Sequence, residues 1–476
     1  MDIAGARPEH AGVRRLLRSL SLVDLSVLAS SSMAPAYSIA AVMGLVVAAA
    51  GVGAPLAVIV STIPITFVAI GFMRLSMAKP SAGGAYTWSR MAFGDRVGWF
   101  TAVLIIIAYY FGTLATAVPA GVYTINALSL LQLHVPATPL SIAIAGVLWT
   151  AFSTYFLIIG ARPTALISAV FLAIEIAALL IIAAVALLHP FTGTPSPTHL
   201  PVGITIGATG IAGLIVGAVL SIWLSAGWEI ATYSSEESTG ASTTPGAGAL
   251  IGLLTTMALV WFCMVAFMHV GTVDGFTHHQ DDALAYVAQR LGGGWIAALM
   301  VANVLVSSAA ALWTTMLVLS RAVFAMGRDG LLPKVLSGVH PKYGSPWVAI
   351  LSVSLPVALL LLYSGFVSSA QQTLNTVVTG SSIFVGSTFI ITGLACAYLH
   401  TRQQAEQRHP FTGVALPAIG ALWTLAFLIY DIWTQQPAFI IWVTVIGIAI
   451  AFIFAVLAGR WATSYHPNTL PMKEEA

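Results

Sequence analysis

The residues that could do chemistry lie inside long apolar runs of the sequence. Glu175 is the one ionisable residue of ISAVFLAIEIAALLIIA, and Glu229 follows Ser225, Ala226 and Gly227 in SAGWEIATYSSEES. A carboxyl group placed in hydrocarbon is costly and marks a functional site by default. Because the loss of water favours the neutral acid, Glu175 is a candidate proton carrier. The alternative is a neutral carboxyl that bonds a nearby carbonyl.

A second set of polar residues interrupts the first apolar run of the chain. The stretch ASSSMAPAYS, residues 29–38, holds Ser30, Ser31 and Ser32 and then Pro35. Proline removes a backbone donor and clashes with the preceding turn, and serine hydroxyls compete with the helix for backbone groups. The pattern predicts either a kinked helix or a true break, in which the serines and the proline unwind the backbone.

The composition is that of an integral membrane protein. Of 476 residues, 58% are hydrophobic and 7% are charged, whereas soluble domains carry about 25% charged residues. Cys263 and Cys396 lie in apolar runs, which is typical of small buried hydrophobic side chains. We expect no disulfide framework, metal site or cofactor, because no cluster of His, Cys, Asp or Glu shows ligand spacing.

Twelve apolar segments are long enough to cross a bilayer, which takes about 20 residues. They are 20–47, 54–77, 98–131, 139–158, 163–188, 207–234, 246–270, 295–326, 347–363, 376–400, 413–433 and 438–460. With the N-terminus inside, every one of the 18 lysines and arginines except Arg290 lies on the inner side, as the positive-inside rule requires. We predict a multi-pass protein of the cell membrane with cytoplasmic tails at 1–19 and 461–476.

The two interruptions fall in the first and sixth predicted segments, at corresponding places in two five-helix halves. Paired discontinuous helices are the best sequence pointer to a transporter's substrate site. Their ends present unpaired amides and carbonyls that bind polar groups near the bilayer midplane. The pattern therefore predicts a ligand site between these two segments.

Four more polar residues each have two possible roles. Tyr109 and Tyr110 either lean toward a cavity or fill a helix interface. Ser307 and Ser308 either supply hydroxyl oxygens to a sodium ion or bond their own helix, as serine in a membrane helix usually does.

Three segments resemble signatures of the amino acid–polyamine–organocation transporters. MRLSMAKPSAGGAYTWSRMAFGD (73–95) resembles the loop between spans two and three, and SAGWEIATYSSEES (225–238) resembles the span-six motif. SRAVFAMGRDGLLPKVLSGVHPKYGSPWVA (320–349) closely matches the segment that follows span eight. The likeness extends over essentially the whole chain.

The resemblance implies an all-α membrane fold of about twelve helices. Two inverted five-helix repeats, at 20–188 and 207–400 within a core of 20–400, would have broken helices 1 and 6, and two peripheral helices would follow at 413–460. Spans three and eight would form the scaffold against which the broken helices rock.

The resemblance also implies a substrate site between the two broken helices. With Tyr109, its expected residues are Ser30, Ser31, Ser32, Met33, Ala34, Pro35, Ser225, Ala226, Gly227, Trp228 and Glu229. The expected ion- or proton-coupling residues are Glu175, Ser307 and Ser308.

Two positions depart from the family's pattern. Glu175 falls where some proton-coupled members have a lysine, at the place an ion occupies in sodium-coupled relatives. Span one lacks the Gly-x-Gly run that frees amides for a substrate carboxylate. The substrate could then be an amine or polyamine held by Glu229.

We therefore expect a secondary transporter, not an enzyme, for an amino acid or related amine, working by symport or exchange. Proton coupling through Glu175 is preferred over sodium coupling. An amine exchanger of the same fold, a channel and a non-transporting sensor are the alternatives. The expected partners are a small-molecule substrate, the coupling ion and the lipid bilayer, with no nucleic acid. The sequence does not indicate the oligomeric state.

Overall fold

The polypeptide is helical in almost every described segment. The computed structural model describes residues 16–195, 202–280, 282–367, 369–403, 409–434 and 438–462. Within these ranges no β-strand forms, and one isolated bridge joins Leu20 to Ser238. Five basic residues used to orient the chain lie outside the described residues, as do most of the two predicted tails. They are Arg7, Arg14, Arg15, Arg408 and Lys473.

Long helices alternate with short connecting ones. The helices of the described residues are α1 (Leu22–Met33), α2 (Pro35–Ala50), α3 (Ala54–Ala78), α4 (Ala85–Phe93), α5 (Asp95–Leu130), α6 (Pro139–Ile159), α7 (Ala161–Leu188), α8 (Gly210–Leu220), α9 (Ile230–Tyr233), α10 (Thr244–Val270), α11 (Val273–His278), α12 (Ala283–Arg290), α13 (Trp295–Arg328), α14 (Trp347–Val367), α15 (Ala370–Thr401), α16 (Leu416–Thr434) and α17 (Ala438–Ala458).

Eleven segments of the described chain are long and apolar enough to span a membrane. The first of them, Leu22–Ala78, has 57 residues and would be about 85 Å long as one helix, against a hydrocarbon core of about 30 Å. A turn at Gly51–Gly53 divides this segment. It therefore contains two crossings, which gives the predicted total of twelve.

The break in the first span is a single residue, Ala34. Its φ of +47° and ψ of +64° are left-handed, a conformation that alanine rarely adopts. Ser32 remains in the last turn of α1, so the expectation that the serines unwind was wrong. Pro35 is the first residue of α2, where a helix has no use for the missing amide hydrogen.

The break in the sixth span is longer. Helix α8 ends at Leu220, a 3₁₀ turn covers Trp223–Ser225, and α9 begins at Ile230. Gly227 has a φ of +112°, and a Cβ atom there would lie 2.8 Å from the carbonyl oxygen of Ser32. Only glycine fits this position, because the two broken spans touch here.

The unbroken helices around the breaks pack together into a frame. Helices α5 and α13 have the most extensive helix–helix contact among the described residues, as the resemblance implies for spans three and eight. Helices α16 and α17 pack on the outside of this frame, against α3, α5 and α15.

Ion pairs tie the break in the sixth span to one end of the bundle. The guanidinium of Arg321 donates to both carboxylate oxygens of Glu237, at 2.8 and 2.9 Å, and Arg321 is fully buried. Arg328 pairs with Glu236 at 2.8 Å. The amides of Ser19 and Leu20 also donate to the carbonyl of Glu237. The segment before α1 is thereby held against the segment after α9.

Candidate functional site

A cavity of about 50 Å³ lies between the two broken spans and helices α5, α13 and α15. It has room for a few water molecules. Seven of the predicted site residues line it, namely Ser32, Met33, Ala34, Tyr109, Ala226, Gly227 and Glu229. Six further polar or aromatic lining residues were not singled out from the sequence, namely Tyr37, Ser38, Thr116, Trp223, Thr315 and Ser381.

Five predicted site residues do not line this cavity. Ser31 donates to the carbonyl of Ser168 on α7 at 3.3 Å, and Ser30 is 3.5 Å from the carbonyl of Gly252. Ser225 donates to Ile222 within its own turn. Pro35 starts α2, and Trp228 packs against Phe72 and Phe389. These five residues contact the protein around the two breaks and do not line the cavity.

Glu229 is the one charged side chain that lines the cavity in the described part of the chain. Its carboxylate accepts hydrogen bonds from the hydroxyl of Tyr109 and, at 3.1 Å, from the amide of Gly227. The side chain is 2% exposed. No lysine or arginine of the described chain lines the cavity, so an ionised Glu229 would attract a cationic group on a ligand.

The amides at the start of α2 are engaged by protein groups. Pro35 has no amide hydrogen, Ala36 donates to Oε1 of Glu175 at 2.8 Å, and Tyr37 donates to Oγ of Ser307 at 3.1 Å. Ser38 donates to the carbonyl of residue 34 at 2.8 Å. A carboxylate and a hydroxyl from two other helices therefore cap α2, which leaves no amide of its first turn for a ligand.

Two opposing effects act on the carboxyl of Glu175. The amide end of α2 carries partial positive charge and favours the carboxylate. Full burial removes water and favours the neutral acid. Oε2 has no hydrogen-bond partner among the described residues, although Ser307 lies next to the carboxyl. Glu175 is therefore a buried carboxyl with one oxygen on the amide end of α2 and the other without a described partner.

Ser307 and Ser308 differ in the direction of their hydroxyls. Ser307 faces α2 and Glu175, whereas the hydroxyl of Ser308 donates to the carbonyl of Val304 at 2.8 Å within its own helix. Tyr109 and Tyr110 differ in the same way. Tyr109 reaches Glu229, and the hydroxyl of Tyr110 donates to the carbonyl of Ser352 on α14.

The end of α1 presents polar atoms to the cavity. The hydroxyl of Ser32 is buried and has no partner among the described residues. The carbonyl of Met33 accepts from the hydroxyl of Ser38 at 2.7 Å, across the break. An unpartnered buried hydroxyl in a cavity wall calls for a water or a ligand atom.

A second cavity, of about 130 Å³, adjoins the first one across Trp223. It lies between α2, α8, α15 and α16, and Asp431 is its one charged lining residue in the described chain. Trp223 lines both cavities. Trp223 lies directly before the predicted break in the sequence, and this position could have identified it as a lining residue.

The described residues contain no group of three or more His, Cys, Asp or Glu side chains that could hold a metal ion.

Comparison with known proteins identifies the family. The family model described as amino acid permease matches residues 20–459. The branched-chain amino acid permease BcaP of Bacillus subtilis (strain 168) is 24% identical over 466 residues, 94% of each chain. The low-affinity putrescine importer PlaP of Escherichia coli (strain K12) is 23% identical over 86% of this chain and 87% of its own. The methylthioribose transporter of Bacillus subtilis (strain 168) is 23% identical over 93% of this chain and 94% of its own.

These relatives are all transporters, and their substrates differ in charge and chemical class. The eleven apolar segments place the chain across a membrane many times. The chain belongs to the amino acid permease family, among the amino acid–polyamine–organocation transporters, and is a multi-pass membrane transporter and not an enzyme.

Proposed function

We propose that the protein is a secondary transporter of an amino acid or a related amine that couples uptake to protons through Glu175. Substrate binds in the cavity between the broken spans, and access alternates between the two sides of the membrane. The observation that carries the proposal is the bond between Glu175 and Ala36, which joins α7 to α2 immediately after the break. Protonation weakens this bond, because a neutral acid is a poorer acceptor than a carboxylate.

The proton thereby acts on the part of the protein that must move. With Glu175 ionised, α2 is held to α7 at its amide end. With Glu175 neutral, α2 is freer to tilt against the frame of α5 and α13. Ser307 contributes a second cap that does not titrate. Helix α2 therefore keeps its hydrogen bond to Ser307 whether Glu175 is ionised or neutral.

Uptake into proteoliposomes at a series of outer pH values tests this coupling. Uptake should fall steeply as pH rises, because fewer molecules carry the proton, and Glu175→Gln should remove the dependence. Ser31→Ala is a matched control, because Ser31 also bonds α7 but does not titrate. A Glu175→Gln variant with the wild-type pH response would contradict the proposal.

The same cavity supports an amine or polyamine exchanger as the second candidate. Glu229 is its one charged lining residue among those described, and the amides of α2 are already engaged. A substrate without a carboxylate needs no free amide at this break. The relative PlaP is named as a putrescine importer.

A thermal-shift screen of the purified protein in detergent separates the two candidates. The panel is leucine, lysine, glutamate, 3-methylbutylamine (leucine without its carboxylate) and putrescine. A ligand raises the melting temperature in proportion to its binding of the native state. Stabilisation by leucine but not by 3-methylbutylamine favours an amino acid substrate, and the reverse favours an amine.

We also propose that both termini lie in the cytoplasm, with the end marked by Arg321 and Arg328 inside. The supports are the distribution of lysine and arginine and the twelve crossings. Accessibility of single cysteines placed in the tails, in cells of known membrane orientation, tests this topology.

A further inference from the structure

An asparagine on α13 is buried without a partner. Asn303 is 1% exposed, and neither its Oδ1 nor its Nδ2 finds a hydrogen bond among the described residues. A buried amide usually has partners, and an exception points to an ordered water or ion at that place. Asn303 is not part of either cavity described above.

Asn303 continues a stripe of α13 that begins at the substrate cavity. Residues four apart in a helix lie on the same face. Ala311 and Thr315 line the cavity, and Ser307 caps α2. Asn303 lies one turn further, about 6 Å along the axis, toward the end of α13 at Trp295. By the proposed topology this is the outer end.

A second unpartnered atom lies beside this stripe. Oε2 of Glu175 is buried and has no partner among the described residues, and Ser307 is next to the carboxyl. Helices α7 and α13 pack against each other. Asn303 and Glu175 are thus two buried groups that need water, and they lie on helices that pack together. Ser307 lies next to the carboxyl of Glu175 and one helical turn from Asn303.

We propose that Asn303 holds water that connects the outer side of the membrane to Glu175 and delivers the coupling proton. The inference rests on the proposed function, since it supplies the route for that proton. The proton leaves hydronium outside, passes through water and binds the Glu175 carboxylate, which becomes the neutral acid. Asn303 orders the water and neither gains nor loses a proton, so it is a positioning residue.

The other titratable side chains on the helices packed against α7 bond elsewhere, are exposed, or lie buried away from the described contacts of Glu175. Asp24 bonds Ser21, Tyr37 bonds the carbonyl of Ala115, and His269 bonds the carbonyl of His189. Arg321 pairs with Glu237, and Arg328 pairs with Glu236. Tyr155 is exposed, and Cys263 is a buried thiol. The described hydrogen bond of Glu175 comes from the amide of Ala36, and the hydroxyl of Ser307 lies next to its carboxyl.

Infrared spectroscopy of the full-length protein in lipid tests the route without any substrate. The C=O band of the protonated Glu175 is assigned by its loss in Glu175→Gln. The rate at which D₂O shifts this band measures water access to the carboxyl. We expect Asn303→Leu to slow the shift by roughly tenfold or more, equal to about 1.4 kcal/mol in the barrier.

Two variants control for non-specific effects. Asn303→Ser puts a hydroxyl that can bind water in place of the amide and should restore the rate. Thr150→Val removes a buried hydroxyl that bonds only its own helix, at the carbonyl of Gly146, and should leave the rate unchanged. Asn303→Val replaces Asn303→Leu if the leucine variant does not elute as folded protein.

Each outcome decides the inference. A slower D₂O shift of the band in Asn303→Leu, with the wild-type rate restored in Asn303→Ser, supports the inference. An unchanged rate in Asn303→Leu overturns it and leaves the coupling role of Glu175 standing. Absence of any band that depends on Glu175 overturns both, because Glu175 then does not carry a proton.

Discussion

Oε1 of Glu175 accepts a hydrogen bond of 2.8 Å from the amide of Ala36, across 139 residues of sequence. Helix α2 therefore begins against a carboxyl group that the protein itself supplies. A carboxylate at this place is stabilised by the helix dipole. The bond links the broken first span to α7, and its strength depends on one proton.

Tyr109→Phe should weaken ligand binding by about tenfold, because it removes the hydroxyl that holds the Glu229 carboxylate in the cavity. A hydrogen bond to a charged group contributes about 1.5–3 kcal/mol. The measurement is the dissociation constant of whichever panel compound stabilises the wild type. Tyr110→Phe is the matched control, because its hydroxyl bonds a carbonyl of α14 and does not reach the cavity. Equal losses in both variants would contradict the assignment.

Gly227→Ala should lower the melting temperature and abolish ligand binding. The new Cβ atom would lie 2.8 Å from the carbonyl of Ser32 and would push the two broken spans apart. The left-handed backbone adds a cost of about 1–3 kcal/mol.

Gly210→Ala separates these two causes. Gly210 also has a positive φ, +64°, but a Cβ atom there meets nothing within 4 Å. It should show the backbone cost alone and keep ligand binding. Loss of binding in Gly210→Ala as well would mean that the contact with Ser32 is not the cause.

Ser307→Ala should destabilise the protein by about 0.5–2 kcal/mol, the usual cost of losing a helix cap. The amide of Tyr37 then loses its partner inside the membrane. Ser308→Ala should have a smaller effect, because that hydroxyl bonds only its own helix. Thermal unfolding in detergent compares the two variants, and a larger loss in Ser308→Ala would refute the capping role.

The sequence was sufficient to predict the spans and the places of both breaks. Proline, serine and glycine are poor helix formers, so Pro35 and Gly227 mark the interruptions. The break itself falls on Ala34, which no propensity favours. Gly227 was predictable as flexible, but its contact with Ser32 was not.

The partners within the site were not predictable in the same way. Glu175 and Glu229 stood out because carboxyls are rare in apolar runs. That Glu175 faces the amide of Ala36, and Glu229 the hydroxyl of Tyr109, depends on helix packing between distant segments. Asn303 was missed because one amide in an apolar helix is ordinary in a sequence, and only its lack of partners among the described residues makes it conspicuous.

Breaking the buried pair of Arg321 and Glu237 should cost far more than breaking the partly exposed pair of Arg328 and Glu236. The side chains of the first pair are 0% and 3% exposed, and those of the second are 31% and 23% exposed. Arg321→Met leaves a carboxylate buried without its partner, which costs about 3–5 kcal/mol. Arg328→Met should cost about 1 kcal/mol or less.

A double variant shows whether the lone charge is the cause. Arg321→Met combined with Glu237→Leu removes both charges, and replacing a buried pair by apolar side chains is often neutral. The backbone carbonyl of Glu237, which receives the amides of Ser19 and Leu20, is retained. Thermal unfolding should therefore show recovery in the double variant. If the double variant does not recover the wild-type melting temperature, the bidentate hydrogen bond itself, and not the removal of a lone charge, stabilises this end of the bundle.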